Sequence, residues 1–429
     1  MSSTYSKLSS IKHKMMKHGN LQQALIWNMG GICFYFLCRW LVNIFAVRMS
    51  DDFTSAGLLA LAISITNIWV VVALFSVRNI QVSDVETEYS DNDYVSFRIV
   101  TILIATVLCV INAALFTRNV YHILVIFVYM LIVAGNSYAD VTHGILQKHW
   151  RMDIIGTSFV LKGIVIFLPF LLFFRTFGLL FALIVTAFLY FIVIIVFDNP
   201  FARKYTSIKV SFDWQRILTL VKICFPLVIC SFFSLLIPSL TRMALERMTD
   251  IETLGLFGSV TLPATIIQTV VASAFAPFVS KFTQYYNEAD YKKFTRLFWL
   301  GISGILTFFV VFFLLTLPLG EWIIDLLYGR GTGQYVYLFR EAAVNSFLLC
   351  LSLYVALPLI IFRYIKTQLV IYTAGIVMCV ILIRPMIEQF GMSGANYVQI
   401  ISYGIILSGL LIATVISSKK SFTKKLSLK

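Results

Sequence analysis

Charge is scarce in this chain, and what there is leans to one sign. Of 429 residues only 13% are Asp, Glu, Lys or Arg, against 59% apolar ones, and Lys and Arg (34) outnumber Asp and Glu (20). A soluble domain carries about twice that share of charge, so a water-soluble globule is excluded. Proline (9 residues) and histidine (5) are rare too. No HExxH or GxSxG sequence occurs, and no Walker A, because the glycine cluster at 329–333 lacks the Lys-Ser/Thr that would follow it. Zinc hydrolase, serine hydrolase and self-powered ATPase chemistry are therefore not expected. The seven cysteines all lie in apolar stretches and form no CxxC pair, so neither a disulfide framework nor a metal centre is expected. His13, His18, His122, His143 and His149 are scattered and are expected at surfaces or interfaces. The polar loops are short. The chain is expected to be no enzyme and to need no cofactor.

What the chain has in abundance is long apolar runs. Crossing about 30 Å of hydrocarbon takes about 20 residues of helix, and twelve runs approach or exceed that length: 24–47, 57–77, 97–116, 120–139, 154–174, 178–197, 218–240, 254–279, 297–319, 342–362, 368–383 and 393–417. A transmembrane barrel would show alternating segments of about ten residues, and these are absent. The expected fold class is an all-α integral membrane protein of about twelve transmembrane helices. Two six-helix lobes, at 24–197 and 218–417, are joined by a charged linker at 198–217, whose Pro200 should break any continuous helix. Basic tails at 1–23 and 418–429 flank them.

The cations report orientation. With both termini cytoplasmic, 23 of the 34 fall on inside segments, 8 on outside segments and 3 (Arg39, Lys162, Lys222) within spans. The positive-inside rule and the even span number agree. The basic excess thus reflects topology and attraction to anionic membrane lipids, and no nucleic-acid partner is expected. Lys162 and Lys222 lie near span ends, where they are expected to reach headgroups.

An internal match at an offset of 197 residues organises the chain. Residues 82–97 read VSDVETEYSDNDYVSF and 279–294 read VSKFTQYYNEADYKKF. Val82/Val279, Ser83/Ser280, Tyr89/Tyr286, Asp93/Asp290, Tyr94/Tyr291 and Phe97/Phe294 coincide without a gap. Each copy follows an even-numbered span, so the halves share one topology, with a pseudo-two-fold axis along the membrane normal. Parallel repeats of this kind mark transporters.

Polar residues inside the spans are arranged. At about 100° per residue, Asn28, Gly31, Tyr35, Arg39 and Asn43 fall on one stripe of the first span. A cation at mid-membrane depth costs about 3 kcal/mol on insertion scales, and is kept where it meets a cavity or a partner. The polar company favours a cavity-facing cation awaiting an anion over a structural arginine bonded to carbonyls of a neighbouring helix or one snorkelling to an interface. Thr261, Thr265 and Gln268 share a face of the eighth span, and Asn396, Gln399 and Tyr403 recur on the twelfth. Arg39, Arg48, Arg242, Arg384, Lys162 and Lys222 outnumber Asp140 and Glu246 in and near the spans. That bias suits an anionic ligand, and the planar fork of arginine suits phosphate.

At four places the chain resembles polysaccharide exporters, the flippases of lipid-linked oligosaccharides within the superfamily that also holds multidrug antiporters. Phe45-Ala46-Val47-Arg48-Met49-Ser50 with Ala56-Gly57 resembles the passage from first to second span, and Arg78-Asn79-Ile80-Gln81-Val82-Ser83-Asp84 resembles the segment closing the second. Residues 138–154 resemble the loop after the fourth span, and Leu327-Tyr328-Gly329 with Tyr335 resembles the one after the ninth. The chain departs from the family's LGxxxYG turn at 49–57. The resemblance implies a cargo on an undecaprenyl-diphosphate anchor, moved from the cytoplasmic to the outer leaflet of a bacterial plasma membrane by alternating access, for capsule, O-antigen or exopolysaccharide assembly. It implies a diphosphate near Arg39, with Arg48, Arg242 and Arg384 as secondary contacts. Asn28, Asn43, Gln268 and Asn396 would line the sugar path. It allows H+ or Na+ coupling with Asp140 as the carboxylate, and a polysaccharide polymerase as partner. The competing expectation is a cation-coupled multidrug or metabolite antiporter of the same fold. That reading calls for acidic residues in the first spans, and 24–50 and 53–77 hold none.

Overall fold

The computed structural model describes residues 21–50, 52–84, 89–265, 268, 278, 281–329, 331–362 and 364–426. Among them it is helical, with no strand. In chain order the helices are α1 (Leu21–Arg48), α2 (Thr54–Leu74), α3 (Val77–Ser83), α4 (Asp91–Phe116), α5 (Val120–Lys148), α6 (Met152–Val193), α7 (Asn199–Arg203), α8 (Trp214–Met248), α9 (Ile251–Thr261), α10 (Tyr291–Tyr328), α11 (Val336–Ile361), α12 (Ile365–Phe390) and α13 (Met392–Leu426). Nine described helical stretches are long and apolar enough to cross a membrane. The chain is a multi-pass membrane protein. Its outward faces carry apolar side chains such as Leu300 (62% exposed) and Val380 (58%), which hydrocarbon tolerates and water does not.

The fifth and sixth expected spans merge into α6, whose 42 residues would run about 63 Å if straight. Gly178 lies between them at φ +80°, the left-handed region that glycine enters without a Cβ clash. The expected break at Pro200 is not found. One π-turn, Ile194–Asp198, leads into α7, and Pro200 occupies the first turn of that helix, where a missing N–H costs nothing. The helical path ends only after Arg203. The C-terminal segment is helical through Leu426 and buries Phe422 against Tyr286, Tyr291, Phe294 and Phe362. The N-terminal tail through residue 20, Val279, Ser280 and most of the eighth span's second half lie outside the described residues.

The chain divides into two compact units. One takes Met1–Met49 and Trp69–Val228, the other Ser50–Ile68 and Ile229–Lys429. Most of α2 thus belongs with the second unit, through a close backbone approach. A Cβ on Gly57 would fall on the Ile251 carbonyl, and one on Gly255 on the Phe53 carbonyl. Within the first unit α1 lies equally close to α6, since a Cβ on Gly31 would meet the Gly156 carbonyl. The matched segments do similar work in their own units. Phe97 is buried with Phe75, Tyr89 and Tyr94 nearby, and Phe294 with Phe282, Phe362 and Phe422. Ser90 and Asp93 form a capping box on α4, while Asp290 caps α10.

Candidate functional site

The stripe on α1 faces α6 across the glycine contact, which brings Tyr35, Tyr129, Tyr190 and Asn136 around Arg39. One Arg39 Nη2–H donates to the Tyr129 hydroxyl at 2.9 Å, and the Tyr190 hydroxyl donates to Asn136 Oδ1 at 2.9 Å. No described carboxylate forms an ion pair with Arg39. The guanidinium is solvated by phenol oxygens and keeps its charge available to an incoming anion. Asn43 spends its amide on the Arg39 carbonyl (3.0 Å), whereas Asn28 Oδ1 is buried without a hydrogen-bond partner. Arg48 is exposed at the end of α1.

Two charge clusters of this unit have other geometry. Both oxygens of Asp140 are held by guanidiniums, Oδ1 by Arg78 at 3.1 Å and Oδ2 by Arg98 at 2.8 Å. Arg98 also donates to the Ala73 carbonyl and Arg78 to Gln147. A carboxylate expected to couple an ion is here the centre of a structural ion-pair cluster. Lys162 does not reach headgroups. It is wholly buried, with Nζ 2.6 Å from Asp198 Oδ2 and 5.7 Å from the centre of the Tyr190 ring. His143 is buried as well, its Nε2 3.1 Å from Ser158 Oγ and 3.6 Å from Asp198 Oδ1. Asp198 ends the π-turn, which aims its carboxylate inward from a position that reads as the start of a polar linker. Sequence reasoning missed this triad. The signals available were a lysine inside a span and an aspartate closing one.

The second unit holds a partly open cavity of about 140 Å³. Arg242 on α8, Gln268, and Asn396 on α13 all line it, together with Asn345, Ser346 and Tyr403. Three of the expected substrate contacts are thus brought together. Asn345 Nδ2 donates to Asn396 Oδ1 (3.0 Å), Asn396 Nδ2 to Glu341 (3.0 Å), Gln399 Nε2 to Thr241 (2.9 Å) and Gln268 Nε2 to Ser346 (3.1 Å). These bonds fix the amides. Three polar atoms remain buried without a hydrogen-bond partner: Arg242 Nε, Tyr403 Oη and Asn345 Oδ1. Groups of this kind cost free energy unless water or a ligand meets them. Arg384 lies elsewhere, exposed and paired with Glu388 at 2.8 Å. No group of three metal-ligating side chains is found among the described residues.

No family model matches the chain. Over 312 residues it is 24% identical to the capsular polysaccharide biosynthesis protein CapF of Staphylococcus aureus, covering 70% of this chain and 75% of that one. Among solved structures it is similar to the lipid II flippase MurJ in an inward closed conformation, with a TM-score of 0.67 at 14% identity over 94% of this chain and 91% of that one. It is also similar to an inward-facing multidrug resistance MATE family transporter of the MOP superfamily, with a TM-score of 0.65 at 15% identity over 92% and 95%. These neighbours are transporters and flippases, and this chain has their fold: an all-α, two-lobed, twelve-helix membrane architecture.

Proposed function

We propose that this protein is a flippase that carries an undecaprenyl-diphosphate-linked oligosaccharide from the cytoplasmic to the outer leaflet of a bacterial plasma membrane, for surface polysaccharide assembly. The observation that carries the reading is two arginines, Arg39 within the first span and Arg242 on the cavity wall of the second unit, each set among neutral hydroxyls and amides with no ion-pair partner among the described residues. Such surroundings attract an anion and hydrogen-bond a sugar. A cation-coupled drug carrier needs the opposite polarity. The similarity to a capsular polysaccharide protein and to a lipid II flippase supports the same class of cargo. Arg39 is assigned to the diphosphate and Arg242, Gln268 and Asn396 to the glycan. Ion coupling at Asp140 would have to displace Arg78 or Arg98, so it has no place in the proposed cycle. The excess of Lys and Arg on alternate segments puts both termini in the cytoplasm.

Reconstitution tests this directly. Vesicles holding the purified protein and a fluorescently tagged undecaprenyl-diphosphate oligosaccharide should expose both leaflets' label to an external quencher, while protein-free vesicles expose about half. Equal quenching in the two, with uptake of a cationic dye by the protein vesicles, would replace the flippase reading by that of an antiporter.

A further inference from the structure

We propose that the cavity of the second unit is a subsite for one acidic sugar ring, a pyranose bearing a single carboxylate. The inference rests on the flippase reading and names the chemistry of the glycan recognised there. Size is the first argument. The cavity measures about 140 Å³ and is only partly enclosed, which leaves room for one ring of a glycan whose neighbours stay outside.

Charge is the second. Among the described residues the wall carries one cation, Arg242, with ten neutral polar side chains and no carboxylate. Here Glu341 stands behind the wall, accepting from Asn396 (3.0 Å) and Ser393 (2.9 Å), and would oppose a polyanion far more than a monoanion. A neutral sugar would leave the guanidinium buried and uncompensated.

The free valences are the third argument. Arg242 Nε and the Tyr403 hydroxyl are unused donors, the pair a carboxylate requires, and Asn345 Oδ1 is an unused acceptor, which a ring hydroxyl satisfies. The remaining amides are tied to neighbours and give the cavity a fixed shape, so that binding orders little. A carboxylate and a ring hydroxyl offer the kinds of partner that these groups lack.

The test is saturation-transfer NMR on the purified full-length protein in detergent, with D-glucuronate, D-glucose and inorganic pyrophosphate as probes. Glucuronate should receive saturation on its ring protons and glucose at least fivefold less. Arg242→Gln should abolish the glucuronate signal, Arg242→Lys should retain part of it, and Lys292→Gln, at an exposed position, should leave it intact. Tyr403→Phe should weaken it severalfold. Thermal unfolding of each variant separates lost binding from lost folding. Equal signals from glucose and glucuronate, no signal from either, or displacement of glucuronate by equimolar pyrophosphate would overturn the assignment. None of these results touches the vesicle assay, so an acidic-sugar failure and a flippase failure are read separately.

Discussion

At the scale of single residues, burial decides which charges serve structure. Lys162 and Asp198 sit 2.6 Å apart with no exposed side-chain surface, where removing one partner strands the other. Lys162→Met or Asp198→Asn should each lower unfolding free energy by about 3–5 kcal/mol. The double variant Lys162→Met/Asp198→Leu should recover most of that loss in denaturant titrations, and additive losses would show that the two groups are not coupled. Arg39 differs in having only a phenol to hold it. Tyr129→Phe should cost about 1.5–3 kcal/mol, the range for a hydrogen bond to a charged group, and leave transport intact, whereas Arg39→Ala should abolish transport. The span sequences display Arg39, Arg242, Gln268 and Asn396 because a polar residue in an apolar run stands out. They do not show who pairs with whom. His143, Lys162 and Asp198 come together only through the π-turn, and nothing in the local pattern marks Asp140 as already taken by Arg78 and Arg98.

At the scale of helices, contacts without side chains set the packing. Gly57 and Gly255 allow α2 and α9 to approach backbone to backbone. A side chain there meets carbonyls that cannot turn aside, so Gly57→Leu should destabilise by about 3 kcal/mol or more. Gly404→Ala, whose Cβ meets nothing within 4 Å, should be neutral in the same thermal assay. Capping gives a pH signature. Asp290 accepts from the Lys293 amide and pairs with its ammonium, and these hold its carboxyl below the usual carboxylate range. Because the folded value is the lower one, the stabilisation is full at neutral pH and is lost as pH falls through it. Asp290→Ala should therefore lower the melting temperature at pH 7, and the difference from the parent should shrink as pH falls below the usual carboxylate range. The apolar runs specify the helices themselves, since length and composition alone set a span. They do not reveal that α2 packs with the second unit, because a glycine in a span declares a close approach without naming the partner.

At the scale of the molecule, a fold shared with a flippase and with multidrug transporters leaves the cargo to be decided by the polarity of the interior. Arg39 and Arg242 lack an acidic partner among the described residues, and the cavity wall of the second unit is cationic and amide-rich. The most direct measurement is mass spectrometry of lipid extracts from the native host after depletion of this protein. The flippase account predicts accumulation of undecaprenyl-diphosphate oligosaccharide and loss of surface polysaccharide, both reversed by the wild-type chain and not by Arg39→Ala. An unchanged lipid pool together with altered sensitivity to cationic drugs would contradict it.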